Sequence, residues 1–245
     1  NGQTLVMSAT AYIVSVEPGK VQDVQAFARA ISPILGLSEE KVAEKASQRG
    51  KSSVTLKRQV SRETADQLRQ LKQSKDAETA AAASALLFDE DVRRVYLRGA
   101  FLTQTLGLVN VDGVGQSGLE QQYETLLRGE AGRSMRSVDG KARPIYDSGN
   151  LYIEPQDGST IRLTIDATIQ EIVEKAMREC YEVNKAQAVH ALVMDVYTGA
   201  VLAMCSKPDY DPNDPPREQL DALQSLMRIR LISDSYEPGS TFKIL

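Results

Sequence analysis

The sequence is poor in the residues that build metal centres. Its 245 residues include two cysteines, one histidine and no tryptophan. Cys180 and Cys205 do not have C-x-x-C spacing, and His190 lies inside an apolar predicted strand. Structural zinc sites usually take four Cys or His ligands. We therefore predict no metal site, two cysteines packed as small apolar residues, and a histidine on a sheet face or in the core.

An excess of basic charge and a long apolar run are also missing. The net charge is −4, from 29 Lys and Arg against 33 Asp and Glu, so nothing favours nucleic acid as a partner. The longest apolar stretch, residues 80–88 with Ser84 inside it, is far below the roughly 18 residues of a membrane span. The remaining composition is ordinary for a globular protein of one large or two modest domains.

The first part of the chain has mixed periodicity. Strands are predicted over residues 3–17 and 53–60, and helices over residues 23–31 and 38–49 and after the capping residue Ser61. The first helix is expected to stop near a proline. This order predicts a small α+β insert. The polar, alanine-rich run at residues 72–85 follows it, and its sequence fits either an exposed helix or a loosely held connector.

The middle of the chain carries a formal G-x-G-x-x-G motif, at Gly113, Gly115 and Gly118. In a dinucleotide site, a Val/Ile-rich parallel strand should follow, with an acidic residue about 20 positions further on. No such strand follows, and the residue at that distance is Asp139 in a loop-like stretch. We therefore predict that the glycines shape a turn at a helix entry, and that the protein uses no cofactor.

Further elements are predicted around this motif. We expect a strand at residues 106–111 and a helix at residues 119–127. Residues 151–154 and 160–165 are predicted strands, and the turn pair Asp157-Gly158 is expected to join them as a hairpin.

The strongest periodicity lies in the later part of the chain. A helix is predicted over residues 168–183, with Thr168 and Glu171 at capping-box spacing. Its predicted inward face consists of Ile169, Ile172, Val173, Ala176, Met177 and Cys180. Two apolar strands, at residues 188–196 and 200–206, are expected to form a hairpin in a sheet covered on both faces.

One stretch near the end combines a hydroxyl with an amine, in the run Tyr236-Glu237-Pro238-Gly239-Ser240-Thr241-Phe242-Lys243. On a helix, positions i and i+3 are neighbours, so Ser240 and Lys243 would share a face. In a first helical turn, Ser240 would lie where free N–H groups favour developing negative charge. Lys243 can take the serine proton only when it is neutral, which requires burial, a neighbouring cation or the helix end.

The chain contains a second S-x-x-K match, Ser38-Glu39-Glu40-Lys41. We interpret this match as structural, because Ser38 is placed as an N-cap with acidic residues in the first helical turn. Spacing alone is therefore a weak signal for a nucleophile. At Ser240 the flanking Tyr-Glu-Pro-Gly adds the missing specificity.

Several segments resemble class B penicillin-binding proteins of the division or sporulation type from Gram-positive bacteria. The similarity is most specific from Leu163 onward, good at residues 115–132, and weak at residues 23–85. An S-x-x-K motif is one of three motifs typical of penicillin-binding proteins. The segments that carry the resemblance are residues 236–243, 163–166 with Ile169 and Gln170, 193–204, 115–123, 127–129 and Gly132.

The resemblance implies a peptidoglycan D,D-transpeptidase. Ser240 would be the acylated nucleophile and Lys243 its base, acting on peptidoglycan stem peptides, and β-lactams would acylate the same serine. Residues 1–150 would be a pedestal or dimerisation domain with the α+β insert at about 21–90. Residues 151–245 would be the incomplete start of a β-lactamase-like serine transpeptidase domain, giving an α+β fold overall.

The resemblance also implies where the parent protein acts. A single N-terminal membrane helix, absent here, would hold it at the extracytoplasmic face of the cytoplasmic membrane. Its partners would be cell-wall synthesis and divisome proteins. The choice between division and sporulation, and the oligomeric state, stay open.

The chain departs from the family pattern in two respects. It has no K-[ST]-G, and its S-x-N, Ser148-Gly149-Asn150, precedes Ser240 and is interpreted as a turn. We therefore expect that these 245 residues alone do not become acylated. The main alternative is a non-catalytic scaffold that docks cell-wall proteins. A soluble serine β-lactamase or β-lactam sensor is less favoured, because neither needs the long segment before Ser240.

Overall fold

The computed structural model describes residues 2–74, 76–135 and 151–244. The chain forms two compact units, Val6–Val95 and a second unit that combines Asn1–Leu5 with Tyr96–Leu245. Both units contain helices and antiparallel strands. The predicted α+β class is therefore confirmed.

The Val6–Val95 unit folds around a three-stranded sheet with strand order β2-β1-β3, in which β1 and β2 are antiparallel. Its fully buried residues include Val14, Phe27, Ile31, Val42 and Leu68. Residues 72–85, where the sequence fitted either a helix or a connector, contain helix α4, Ala77–Ser84. The elements in chain order are β1 Val6–Val16, α1 Val24–Leu35, α2 Glu39–Ala46, β2 Val54–Ser61, α3 Arg62–Gln70, α4 Ala77–Ser84 and β3 Leu86–Tyr96.

Short polar side chains begin the helices of this unit. Asp23 accepts hydrogen bonds from two backbone N–H groups of α1, and the predicted cap Ser61 accepts one from Thr64 at 3.2 Å. Helix α1 continues through Pro33, where the sequence predicted a stop, and ends at Gly36 with φ 62°. Burial of Leu35 stabilises this last turn and offsets the hydrogen bond lost at the proline.

The second unit contains short helices and two antiparallel strand pairs, β4 with β5 and β6 with β7. Leu108, Tyr210 and Leu223 form a small buried cluster in it. The elements in chain order are α5 Thr103–Leu106, α6 Gly118–Gln122, α7 Glu124–Leu127, β4 Arg133–Met135, β5 Leu151–Ile153, α8 Ala167–Val183, β6 Val189–Met194, β7 Val201–Lys207, α9 Leu220–Met227, α10 Arg230–Ser233 and a 3-10 helix, Gly239–Ile244.

The predicted β6–β7 hairpin is confirmed, but the prediction that both faces of its sheet are covered is wrong, since Leu192 and Met194 on β6 are 47% and 49% exposed. Its turn is closed by hydrogen bonds from the Asp195 N–H to the Ala200 carbonyl and from the Gly199 N–H to the Asp195 carbonyl. Gly199 has φ 71°, a conformation that glycine adopts without steric cost. The Asp195 carboxylate accepts the N–H groups of Tyr197 and Thr198, and these bonds lower the pKa of Asp195.

The hairpin predicted around Asp157-Gly158 is wrong. Strand β5 pairs with β4, which precedes it, and residues 160–165 form no strand. Gly158 lies instead where two chain segments cross, because a Cβ there would be 2.0 Å from the Leu127 carbonyl oxygen. The strand predicted at residues 106–111 is also wrong, since Leu106 ends α5 and only Val109 makes a bridge, to Gly115.

Candidate functional site

Ser240 and Lys243 lie on one 3-10 helix, Gly239–Ile244. Residues i and i+3 eclipse one another in this geometry, so the two side chains leave the same edge of the helix. Gly239, with φ 57°, provides the sharp entry that the sequence indicated. Both side chains are exposed, and among the described residues no hydrogen bond joins them.

The surroundings of this helix are open to solvent. Tyr236 and Phe242, large side chains on either side of Ser240, are 82% and 61% exposed. Just upstream, Arg228 forms an ion pair with Asp234 at 2.7 Å and donates a hydrogen bond to Ser233 at 3.0 Å. The arrangement therefore places a hydroxyl and an amine one turn apart on an exposed surface.

The other S-x-x-K match is structural, as predicted. Ser38 is the N-cap of α2, and its hydroxyl accepts the Lys41 N–H at 3.4 Å. Val42 and Ala46 are fully buried on the inner face of the helix. The hydroxyl at Ser38 is thus committed to capping.

The glycine-rich motif forms a crossing of backbone segments. A Cβ on Gly115 would be 2.2 Å from the Glu120 carbonyl oxygen, and one on Gly118 would be 2.6 Å from the Thr105 carbonyl oxygen. Gly118 has φ 58° and is the first residue of α6. The prediction of a turn at a helix entry is confirmed, and the close approaches are to protein backbone.

His190 and Cys205 lie in the β6–β7 hairpin. Nδ1 of His190 is 3.0 Å from the Ser206 hydroxyl, its partner across the strands, which confirms a sheet-face histidine. Burial lowers the pKa of His190, and the nearby charge of Arg230 lowers it further. Cys205 is buried as predicted, and this burial raises the pKa of its thiol to about 11.

The predicted inward face of α8 is wrong in part, because Ile172 and Ala176 are exposed while the other four predicted residues are half-buried. Ile172 is 65% exposed, whereas Gln170 is fully buried and Glu174 is 8% exposed. The polar pair faces β7, where Gln170 bonds both backbone groups of Met204. Hydrophobic periodicity carries no signal for a buried amide and carboxylate; their i, i+4 spacing shows only that they share a face.

Helix α8 also begins one residue earlier than predicted. Asp166 is its N-cap and accepts the N–H groups of Thr168 and Ile169 at 2.9 and 3.1 Å. The capping box assigned to Thr168 and Glu171 is therefore wrong, and Glu171 instead pairs with Arg98. Within the described ranges, no helix is long and apolar enough to cross a membrane.

Two family models and several known proteins match this chain. The family described as penicillin-binding protein dimerisation domain matches residues 1–163, and the penicillin-binding protein transpeptidase domain matches residues 189–245. Stage V sporulation protein D of Bacillus subtilis is 31% identical over 100% of this chain and 36% of its own length. The probable peptidoglycan D,D-transpeptidase PenA of Neisseria gonorrhoeae is 29% identical over 99% of this chain and 40% of its own length.

A solved structure shows the same fold. Penicillin binding protein 2X from Streptococcus thermophilus matches with a TM-score of 0.58 at 20% identity, over 97% of this chain and 36% of that one. This chain thus spans about two fifths or less of these relatives. The chain belongs to the class B penicillin-binding proteins, since the dimerisation and transpeptidase domains of that family together match most of its length.

Proposed function

We propose that the full-length gene product is a serine-type peptidoglycan D,D-transpeptidase. The observation that carries the proposal is the match of residues 189–245 to the transpeptidase domain, since this range ends with Ser240 and Lys243 one turn apart. The relative PenA is itself named a probable peptidoglycan D,D-transpeptidase. Residues 151–245 are proposed as the start of the catalytic domain and residues 1–150 as the pedestal.

In the proposed reaction, the Ser240 hydroxyl attacks the carbonyl between the two D-Ala residues of a stem peptide. Neutral Lys243 takes the hydroxyl proton, an ester forms at Ser240 Oγ, and the C–N bond to the terminal D-Ala breaks. The proton passes to the leaving amine. An amine of a second peptidoglycan strand then attacks the ester, which forms the cross-link and frees Ser240. β-Lactams would acylate Ser240 by opening their ring.

The location and partners of the protein follow from this substrate. Peptidoglycan is assembled outside the cytoplasm, so we propose action at the outer face of the cytoplasmic membrane, beside other cell-wall synthesis proteins. For the 245 residues alone we propose no acylation, because Ser240 and Lys243 are exposed.

The experiment is release of D-Ala from a synthetic pentapeptide ending in D-Ala-D-Ala. The full-length protein should release D-Ala and transfer the acyl group to an added D-amino acid, and Ser240→Ala should abolish both. The matched control is Ser38→Ala, which removes the capping hydroxyl of the second S-x-x-K match and should leave turnover unchanged. Turnover that survives Ser240→Ala would assign the chemistry to another residue.

The scaffold alternative has its own support. Residues 6–95 form a unit with a separate buried core, and they lie within the match to the dimerisation domain. A full-length protein that neither releases D-Ala nor reacts with β-lactams would favour this function.

A further inference from the structure

Two polar residues of α8 are buried against strand β7. Gln170 is fully buried and Glu174 is 8% exposed. The Gln170 amide accepts the Met204 N–H at 2.8 Å and donates to the Met204 carbonyl at 3.0 Å. The amide thus bonds β7 through both backbone groups of one residue, as a neighbouring strand would, and the Asp166 N–H bonds the Leu202 carbonyl of the same strand at 2.9 Å.

The Glu174 carboxylate connects this contact with β7 to a third segment. One of its oxygens accepts the Gln170 amide N–H at 2.9 Å and the Leu102 backbone N–H at 2.8 Å. A flipped Gln170 amide would put its oxygen against the carboxylate and its NH₂ against the Met204 N–H. Glu174 and the two backbone groups of Met204 therefore favour the same orientation of the amide.

Leu102 has a conformation that depends on this contact. Its φ of 56° is in the left-handed region, which is unfavourable for a leucine. The turn directs the Leu102 N–H at the buried carboxylate, and the Leu102 side chain is itself buried. A strained turn of this kind persists only where the surrounding contacts hold it.

Other contacts hold the same segment to the exit of β7. The Gln104 amide donates to the Pro208 carbonyl at 2.9 Å. The Thr103 hydroxyl oxygen lies 2.6 Å from the Ala100 carbonyl oxygen and 2.9 Å from the Tyr210 carbonyl oxygen, and its single hydrogen serves one of the two at a time. Residues 98–104 are thus bound to α8 on one side and to the segment after β7 on the other.

We propose that Glu174 and Gln170 form a buried polar lock that makes residues 98–104, α8 and β7 move as one body. Residues 98–104 lie in the match to the dimerisation domain, Met204 lies in the match to the transpeptidase domain, and the two lock residues lie between these matches. The lock therefore carries a displacement of the dimerisation-domain segment directly into the first strands of the transpeptidase domain. This inference does not depend on the chemistry of Ser240.

The test is amide hydrogen exchange in the 245-residue chain, followed at Leu102 and Met204. Glu174→Gln should raise both exchange rates together by at least tenfold, because the Gln170 NH₂ and the Leu102 N–H lose the carboxylate oxygen that they share. The matched control is Glu171→Gln, one turn earlier on α8, which removes an exposed ion pair with Arg98 and should change either rate less than threefold.

A second measurement needs no variant and remains decisive if Glu174→Gln does not fold. In the wild-type chain under increasing urea, Leu102 and Met204 should open with one free energy and one urea dependence. Separate dependences, or a Glu174→Gln variant that speeds exchange at Leu102 and leaves Met204 protected, would overturn the proposal. D-Ala release plays no part in either readout, so failure here is distinct from failure of the proposed transpeptidase function.

Discussion

Gly115 lies where two backbone segments cross, and its lack of a side chain permits the close approach. An alanine Cβ at this position would be 2.2 Å from the Glu120 carbonyl oxygen, and the Gly115 φ is not positive, so the effect is purely steric. We predict that Gly115→Ala lowers the free energy of unfolding by about 3 kcal/mol, the upper end for overpacking. Urea denaturation measures this change. Gly50→Ala, with nothing within 4 Å of the added methyl, should cost little.

The buried thiol of Cys205 should make the stability of the protein depend on pH. Burial raises the pKa of this thiol to about 11, above the ordinary value of 9.0. An unfolded chain then loses the proton first, so this contribution to stability is complete below about pH 9 and is lost as the pH rises towards 11. The stability measured from pH 8 to 11 should fall less steeply in Cys205→Ala than in the wild type. Equal slopes in the two proteins would show that the Cys205 thiol does not contribute to the pH dependence of stability.

The N-cap of helix α8 differs between the structure and the sequence prediction, and two substitutions distinguish them. The structure gives the N-cap to Asp166, whereas the sequence pattern gave a capping box to Thr168. We predict that Asp166→Ala lowers the free energy of unfolding by about 1 kcal/mol, the usual cost of a lost N-cap. Thr168→Ala should have a much smaller effect in the same urea titration. The reverse order would restore the capping box.

At the scale of elements, helices and hairpins with local signals were predictable. Ser38 and Ser61 cap the helices that the sequence assigned to them, and Gly199 closes the expected turn. The strand predicted at residues 160–165 does not form. The sequence pattern paired it with residues 151–154, but in the structure β5 pairs with β4. Only tertiary pairing decides which strand lies beside β5.

Contacts between segments distant in sequence also decided which side chains of α8 are buried, whereas the spacing at the candidate site is local. Periodicity placed the apolar side chains of α8 inward, but Gln170 and Glu174 are the buried residues because their partners are backbone groups from Leu102 and Met204. Those partners are distant in sequence and leave no local pattern. The positions of Ser240 and Lys243 on one helical turn followed from spacing, since that relation is local.

At the scale of the whole molecule, the Val6–Val95 unit has a core of its own. Ile31 is fully buried in this core, whereas Ile172 on α8 is 65% exposed. We predict that Ile31→Ala lowers the unfolding free energy of the unit by about 2–5 kcal/mol through the cavity it leaves. Exchange of buried amides in α1 and α3 measures the change. Ile172→Ala should leave those amides unaffected.

We propose that Ser240 is the acylated residue. The most direct test is peptide mapping by mass spectrometry after the full-length protein is incubated with benzylpenicillin. The account predicts one penicilloyl adduct per molecule, on the peptide that contains Ser240, and none in Ser240→Ala. An adduct at another residue, or an unmodified Ser240 in a protein that still releases D-Ala, would contradict it.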